Sequence, residues 1–173
     1  MDTLEAIKRR RSIREFTDEP VSREILTEIL DAARWAPTTS NQQRWRFIVV
    51  TDPTVKEMVK KVSPGIFAMP AAFIVICIEK ATDATSWDEW TYAADCGVAV
   101  QNMMLAAFAL GIGSCPALSF AKEAVREVLD IPEGVEPALI VTLGHFERLP
   151  ESPERLPLSR IAHAERFGRG WDA

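Results

Sequence analysis

The sequence has little of the chemistry that nucleophilic or metal-dependent enzymes use. It contains only two histidines, His145 and His163, and neither forms a recognisable set with a serine, a cysteine or a carboxylate. We therefore nominate no catalytic side chain. The three cysteines, Cys77, Cys96 and Cys115, are an odd number with no close pair, which argues against a disulfide framework and a zinc ribbon. We predict no metal site and three buried thiols.

The chain also lacks long hydrophobic runs. No stretch approaches the roughly 20 apolar residues of a membrane span, and residues 1–11 lack the apolar core and cleavage site of a secretory signal. We therefore predict no membrane partner and a cytoplasmic location. With 173 residues, 47% of them hydrophobic and 26% charged, the chain fits one globular domain spanning 1–173.

The sequence also has no excess of positive charge. The formal net charge is −5, which opposes long-range attraction to polyphosphates, so any basic site must be local. One segment does concentrate basic groups: Arg9, Arg10, Arg11, Ser12 and Arg14 place five polar groups within six positions. Guanidinium groups and a hydroxyl are suitable donors for a phosphate monoester. The alternative is a solvated basic face, and we predict no nucleic-acid partner because no series of stacking aromatics accompanies the segment.

A second polar segment lies between a predicted helix and a predicted strand. Residues 36–47 are rich in hydroxyl and amide side chains, the composition of a loop that places donors at a cleft. Asn41 and Gln43 can hydrogen-bond the edge of a heteroaromatic ring. The alternative is a solvated turn that Trp45 anchors by packing.

The third segment combines a long helix with a glycine-rich exit. Its second half, residues 97–110, is apolar nearly all round, so we expect both faces to be covered, one of them by a partner subunit. Asp95, Gln101 and Asn102 are expected to be hydrogen-bonded interface groups rather than catalysts. The glycines at 111 and 113 are no dinucleotide fingerprint, because no strand precedes them and a third glycine is absent.

The remaining pattern predicts a sheet covered on both faces by about five helices. A capping box of Ser86 and Glu89 is expected to open the long helix, and Ser119 to begin a later one. Trp87 and Trp90 either form an aromatic wall of a cleft or belong to the core. Three apolar runs are predicted as buried strands: Phe47–Val50, Ala71–Ile78 and Pro137–Gly144.

Taken in order, the motifs resemble the nitroreductase-like family of flavin mononucleotide (FMN) enzymes, from Ile7 to about Gly168. The motifs are Arg-Arg-Ser-Ile-Arg at 10–14, Ala-Pro-Thr-Thr-Ser-Asn-Gln-Gln-Arg-Trp at 36–45, and Gln-Asn-Met-Met-Leu-Ala-Ala at 101–107 followed by Leu-Gly-Ile-Gly-Ser-Cys at 110–115. The resemblance implies an α+β, three-layer fold with a central, mainly antiparallel sheet flanked by helices. It also implies an intertwined homodimer with FMN at the interface, on which the tail 149–173 packs.

The activity implied by the resemblance is an NADH- or NADPH-dependent flavin oxidoreductase. Hydride would pass through flavin N5 to a nitroaromatic, quinone or similar planar acceptor in ping-pong turnover. The alternatives are an enzyme that consumes its flavin, like the family branch that makes dimethylbenzimidazole, and a non-catalytic flavin-binding module.

The resemblance also assigns roles to individual residues. The phosphate and ribityl end would be held by Arg10, Arg11, Ser12 and Arg155. Arg14 and Asn41 would approach the pyrimidine side of the ring, near Gln43, while Thr38, Thr39 and Ser40 would reach across from the partner. Pro116, Ala117, Leu118 and Ser119 would lie over the ring, with the N–H of Leu118 or Ser119 facing N5.

Three positions depart from the family pattern. Arg44 stands where proline is common, His145 replaces the usual aromatic residue after Gly144, and Glu154 lies near where some members carry lysine.

Overall fold

The computed structural model describes residues 2–171 and contains one four-stranded sheet with helices on both faces. The helices are α1 (Thr3–Arg9), α2 (Arg23–Arg34), α3 (Pro53–Lys61), α4 (Ser86–Ala109), α5 (Lys122–Val128) and α6 (Leu158–Ile161). The strands are β1 (Trp45–Val50), β2 (Ala72–Glu79), β3 (Gly113–Ala117) and β4 (Val135–Gly144). A single 3-10 turn, Thr39–Asn41, precedes β1.

The strands lie in the order β1-β2-β4-β3, and every neighbouring pair is antiparallel. β2 and β4 are therefore central, and β1 and β3 form the two edges. All but the last residue of β2 are buried, as expected of a strand covered on both faces.

Successive residues of β2 face different helical layers, because side chains alternate along a strand. Ile74 and Ile76 pack in one core with residues of α2 and α4, including Ile29 and Met103. Phe73, Val75 and Cys77 pack in the other core with residues of α3 and α5, such as Val59 and Val125. The predicted three-layer α+β fold is confirmed.

Side-chain caps set where the helices begin. Ser22 caps α2 and Asp52 caps α3, each accepting a hydrogen bond from a first-turn N–H. The prediction of a capping box at Ser86 and Glu89 is wrong by one residue. Thr85 and Asp88 form it instead, because the Thr85 hydroxyl accepts from the Asp88 N–H while the Asp88 carboxylate accepts from the Thr85 N–H.

Two further predictions around the glycine-rich exit need correction. β3 was not expected, because a five-residue segment with Gly113 and Pro116 has low strand propensity. Pro116 is tolerated there since β3 is an edge strand and needs no N–H donor on its outer side. α5 begins at Lys122 rather than Ser119, after a turn in which the Phe120 N–H donates to the Leu118 carbonyl over 3.2 Å.

Across residues 2–171, no helix combines the length and the apolar character that crossing a bilayer requires.

Candidate active site

The basic segment lies at the outer edge of β3, in a cleft of about 300 Å³ that we call the arginine cleft. The tail that follows β4 forms its other wall. The lining residues are Arg10, Arg11, Ser12, Arg14, Pro150, Glu151, Pro153 and Arg155. Arg10 and Arg155, both predicted to hold the phosphate, are 145 positions apart in sequence but meet in this cleft.

The segment is held by pairing with β3 and by close packing. Ser12 forms a parallel bridge with Ser114, and the Ile13 N–H donates to the Ser114 carbonyl over 2.9 Å. A Cβ on Gly113 would lie 2.8 Å from Ile13 Cγ2, so a side chain there would push the segment off the strand. Ile13 is buried, and its neighbours Ser12 and Arg14 lie on either side of this fixed point.

The arginine cleft has unmet hydrogen-bonding demand. Arg10 Nε, Arg10 Nη1 and Arg11 Nε are buried and have no hydrogen-bond partner within residues 2–171. Burial, followed by repulsion from Arg11 and Arg155, holds the pKa of Arg10 below its ordinary value. Buried donors without acceptors are costly, and an anion with several oxygens would satisfy them.

Farther along β3, the strand edge is open to a ligand. The Ser114 carbonyl points outward to Ile13, and alternation along the strand turns Pro116 to the same outer edge. Pro116 has no N–H, so Leu118, the first residue after β3, would supply the next donor along this edge. Leu118 is 74% exposed. The adjoining Ser119 carbonyl accepts from the Gly65 N–H over 3.1 Å, which ties this segment to the loop before β2.

Leu118 also lines a cavity of about 520 Å³ between α4 and the ends of β2 and β4, which we call the Leu118 cavity. Its walls include the buried Tyr92 and Cys96. At its rim, Lys80 Nζ lies 3.0 Å from Glu136 Oε2 and 3.2 Å from Glu89 Oε1. The pair with Glu136 is the main cause of a raised Lys80 pKa.

Trp87 and Trp90 line neither the arginine cleft nor the Leu118 cavity. Their rings stack with centroids 5.4 Å apart, and the residues are 65% and 64% exposed. The core interpretation of these tryptophans is therefore wrong.

The second polar segment forms a loop before β1, Thr38–Gln43, which we call the β1 loop. The Asp95 carboxylate on α4 accepts from the Thr39 N–H over 3.1 and 3.2 Å and from the Thr39 hydroxyl over 3.3 Å. At the other end, the Gln43 N–H donates to the Thr38 hydroxyl over 3.2 Å, and its side-chain amide donates to Asn41 Oδ1 over 3.1 Å. The polar groups of this loop largely satisfy one another.

Gln101 and Asn102 on α4, which were expected to be hydrogen-bonded like Asp95, differ from each other in their contacts. The Asn102 side-chain amide donates to the Ala32 carbonyl over 3.1 Å, whereas Gln101 is exposed.

The arginine cleft and the β1 loop lie at diagonally opposite corners of the sheet. Trp45, just after the loop, pairs with Ile78 near the end of β2. Ser114, beneath the cleft, pairs with Leu143, which in turn pairs with Ala72 at the start of β2. At strand spacings of about 4.8 Å and about 3.3 Å per residue, the corners are roughly 14 Å apart across the sheet and roughly 20 Å along it.

One chain therefore brings together only part of the predicted site. Arg10, Arg11, Ser12, Arg14 and Arg155 share one cleft, and Pro116, Ala117, Leu118 and Ser119 follow along the same edge. Thr38, Thr39, Ser40, Asn41 and Gln43 lie at the far corner. Arg14 and Asn41 of the same chain cannot reach one ring.

Two elements of the site were missed by sequence reasoning. The loop 65–68, Gly-Ile-Phe-Ala, lines a narrow pocket with Arg14, Cys115 and Ala117, and its sequence has no polar side chain to indicate a site. Glu151 puts a carboxylate beside the arginine cleft, and no local pattern indicated it.

Fold and site together define a three-layer α+β protein with an electropositive cleft at one sheet edge. The nitroreductase family model matches residues 7–68 and 57–145, and the chain belongs to that family.

Individual relatives agree with this membership. A relative from Methanothermobacter thermautotrophicus, whose name includes NAD(P)H nitroreductase, is 34% identical over 174 residues, covering 96% of this chain and 88% of that protein. The crystal structure of a nitroreductase family protein from Clostridium difficile is 30% identical with a TM-score of 0.83, covering 96% of this chain and all of that one (100%). The NADPH:FMN oxidoreductase of Vibrio harveyi, solved in complex with NAD⁺, is 27% identical with a TM-score of 0.86, covering 96% of this chain and 78% of that one.

Proposed function

We propose that this chain is an FMN-dependent oxidoreductase that uses NADH or NADPH to reduce nitroaromatic, quinone or similar planar acceptors. The observation that carries the proposal is the set of buried guanidinium donors without acceptors in the arginine cleft of a nitroreductase family member. The names of relatives, which include an NADPH-flavin oxidoreductase and an FMN reductase, support the same activity.

The residues of the cleft fit the phosphate end of FMN. Arg10, Arg11 and Arg155 supply cationic donors, and Ser12 a neutral one. A phosphate would provide acceptors for the unpaired Arg10 and Arg11 groups and would relieve the repulsion among the three arginines.

The rest of the flavin would lie along the open edge of β3. FMN supplies hydride transfer at N5, so the protein's part is to position the ring and stabilise its charge. The N–H of Leu118 is our candidate donor to N5. Arg14, which lies between the arginine cleft and the narrow pocket beside β3, is our candidate cation for the N1 and O2 side of the ring.

The Leu118 cavity is our candidate for the acceptor site. Its volume of about 520 Å³ lies within the usual range for small-molecule sites, and Leu118 connects it to the edge where the ring would lie.

We further propose that the active form is a homodimer, because the site is divided between opposite corners of the sheet. Thr38, Thr39, Ser40, Asn41 and Gln43 would complete the site of the other copy. Exposed apolar residues give such a dimer surface to bury. They include Leu4 and Ile7 on α1, Val98 on α4, and Leu156, Leu158, Ile161 and Phe167 in the tail.

Two related statements remain predictions. The tail 149–173 is proposed to pack on the partner, although its last two residues, like Met1 of the domain 1–173, lie outside the described residues. The cytoplasmic location also remains a prediction.

The test is spectroscopic. Purified protein, incubated with FMN and freed of excess ligand, should be yellow with about one FMN per chain, and anaerobic NADH or NADPH should bleach it. A well-folded but colourless protein that takes up no FMN would refute the proposal. Colour without bleaching would favour a flavin-binding module, and conversion of reduced FMN by oxygen to dimethylbenzimidazole would favour the flavin-consuming branch.

A further inference from the structure

We infer that Arg44 is a positioning residue that holds the β1 loop in the shape in which it completes the flavin site of a second copy. The inference rests on the proposed function, since it requires bound FMN and a dimer.

Arg44 connects three separate elements. Its Nε donates to Gln42 Oε1 in the loop over 2.7 Å, and its Nη1 donates to the Glu79 carbonyl at the end of β2 over 3.4 Å. Its own carbonyl accepts from the Glu79 N–H over 3.0 Å. The guanidinium lies 5.7 Å from the ring centroid of Tyr92 on α4, and Tyr92 is only 5% exposed. The buried Tyr92 ring and the end of β2 at Glu79 together restrict the positions that the Arg44 side chain can adopt.

The β1 loop needs such support because its backbone is not intrinsically favoured. Ser40, Asn41 and Gln43 have φ values of 51°, 54° and 51°, in the left-handed region that residues other than glycine rarely adopt. Surrounding contacts must therefore hold the loop in this shape. The Asp95 carboxylate fixes the loop at Thr39, and Arg44 fixes it at the end that enters β1.

The middle of the loop is held only by bonds within the loop and by Arg44. Ser40, Asn41 and Gln42 are all exposed, and although Asn41 Oδ1 accepts from Gln43 and Gln42 Oε1 from Arg44, their outer faces can contact another molecule. Without Arg44 the chain would still enter β1 at the buried Trp45, because Trp45 pairs with Ile78 and packs in the core. Loss of the Arg44 side chain is therefore expected to loosen the loop while leaving the sheet intact.

The first experiment separates positioning from stability. In Arg44→Gln, FMN binding measured by flavin fluorescence quenching should weaken about tenfold, the effect of losing the guanidinium bonds and the contact with Tyr92. Arg44→Lys keeps a cation over the Tyr92 ring but loses the planar guanidinium. Its FMN affinity should therefore lie between those of the wild type and Arg44→Gln. Hydrogen exchange of the backbone in 38–43 should accelerate, while the Tm of the apoprotein changes little.

The matched control is Arg126→Gln. Arg126 on α5 also donates to a strand carbonyl, that of Val135 over 3.4 Å, and pairs with Glu123, but it lines neither the arginine cleft, nor the Leu118 cavity, nor the pocket beside Gln43. Its FMN affinity should equal that of the wild type. If Arg44→Gln binds FMN as tightly as this control, Arg44 does not position the loop.

The second experiment tests action on the other copy. Arg44→Gln is co-expressed with Arg10→Gln, each under a different tag, and the mixed dimer is isolated. If Arg44 serves the partner's site, one site carries both defects and the other none, so wild-type affinity returns at about one FMN per dimer. If Arg44 serves its own chain's site, each site carries one defect and no tight site appears, which overturns the inference. Wild-type protein that binds no FMN would instead refute the proposed function.

Discussion

The two polar corners of the sheet differ in how their hydrogen-bonding groups are satisfied. In the arginine cleft, Arg10 and Arg11 keep buried donors without acceptors. In the β1 loop, Asp95, Thr38 and Asn41 accept the bonds that Thr39 and Gln43 donate. The first corner is incomplete without an anion, whereas the second is already closed on itself.

This difference indicates different tasks. Clustered buried cations destabilise the folded protein and are favourable only when an anion binds, so the arginine cleft is suited to recognise charge. A loop with satisfied polar groups contributes mainly shape, and its exposed middle residues are suited to contact a partner's ligand. The predictions below test this division of tasks.

The largest effect is expected for Arg10→Gln. Its unpaired donors make it the residue that gains most from a phosphate, so its loss should weaken FMN binding by about 10- to 100-fold, the range for hydrogen bonds to a charged group. The apoprotein should be as stable as the wild type or more stable, because a buried, mutually repelled cation has been removed. Isothermal titration and thermal unfolding of the apoprotein measure both effects.

The control for this variant is Arg23→Gln at the start of α2, outside the arginine cleft and outside the tail. If Arg10→Gln lowers the stability of the apoprotein while the control does not, and FMN affinity is retained, Arg10 stabilises the fold rather than binding FMN. The comparison between the two corners would then be mistaken.

A smaller effect is expected for Asp95→Ala in the other corner. Its carboxylate accepts from the Thr39 N–H and hydroxyl, so the variant should free one end of the β1 loop. FMN affinity should fall by about three- to tenfold, less than for Arg10→Gln, because shape rather than charge is lost. Hydrogen exchange of 38–43 should accelerate. Glu123→Ala, which removes an exposed partner of Arg126, is the control, and equal exchange in the two variants would contradict the role of Asp95.

The sequence predicts the arginine cleft better than it predicts the β1 loop. Arg10, Arg11, Ser12 and Arg14 are close in sequence, and their chemistry alone suggests a phosphate site before the structure joins them to Arg155. A capping-box pattern and an apolar run likewise predict most of α4, because these signals are local.

What the sequence could not reveal depends on distant contacts. Thr39 and Asp95 are 56 positions apart, and neither carries a local sign of the other. β3 stays hidden because its stability comes from pairing with β4 and from the Ser12 bridge rather than from strand propensity. The exposure of Trp87 could not be predicted either, because an apolar sequence pattern does not distinguish the core face of a helix from its surface face.

A third prediction concerns two buried thiols, Cys96 in the core with α2 and α4 and Cys77 in the core on the other face of the sheet. Burial, then the charges of Asp95 and Cys77, raises the pKa of Cys96 to about 12, and burial raises that of Cys77 to about 11, from an ordinary value of 9.0. Below pH 9 both thiols are protonated in the folded and unfolded states. Above it only the unfolded chain ionises, so the free energy of unfolding should fall by up to about 1.4 kcal/mol per pH unit for each thiol.

Chemical denaturation between pH 8 and 11 measures this slope. Cys96→Ala should have a shallower slope than the wild type over this range, and Asp95→Ala should shift the Cys96 contribution to lower pKa by removing a nearby negative charge. A free energy of unfolding that does not vary above pH 9 would mean that these thiols ionise as readily in the folded protein as in the unfolded one, and hence that both cores are open to water at these positions.

The smallest effect is expected for the tryptophans that belong to neither corner. Trp87 and Trp90 stack on each other and are about two-thirds exposed, so Trp87→Gln should change the free energy of unfolding by less than about 0.5 kcal/mol and leave FMN affinity unchanged. Sedimentation at decreasing protein concentration adds a sharper criterion. If the variant dimer dissociates at a higher protein concentration than the wild-type dimer, the start of α4 belongs to the dimer interface. Trp87 and Trp90 would then stabilise the dimer that brings the arginine cleft of one copy to the β1 loop of the other.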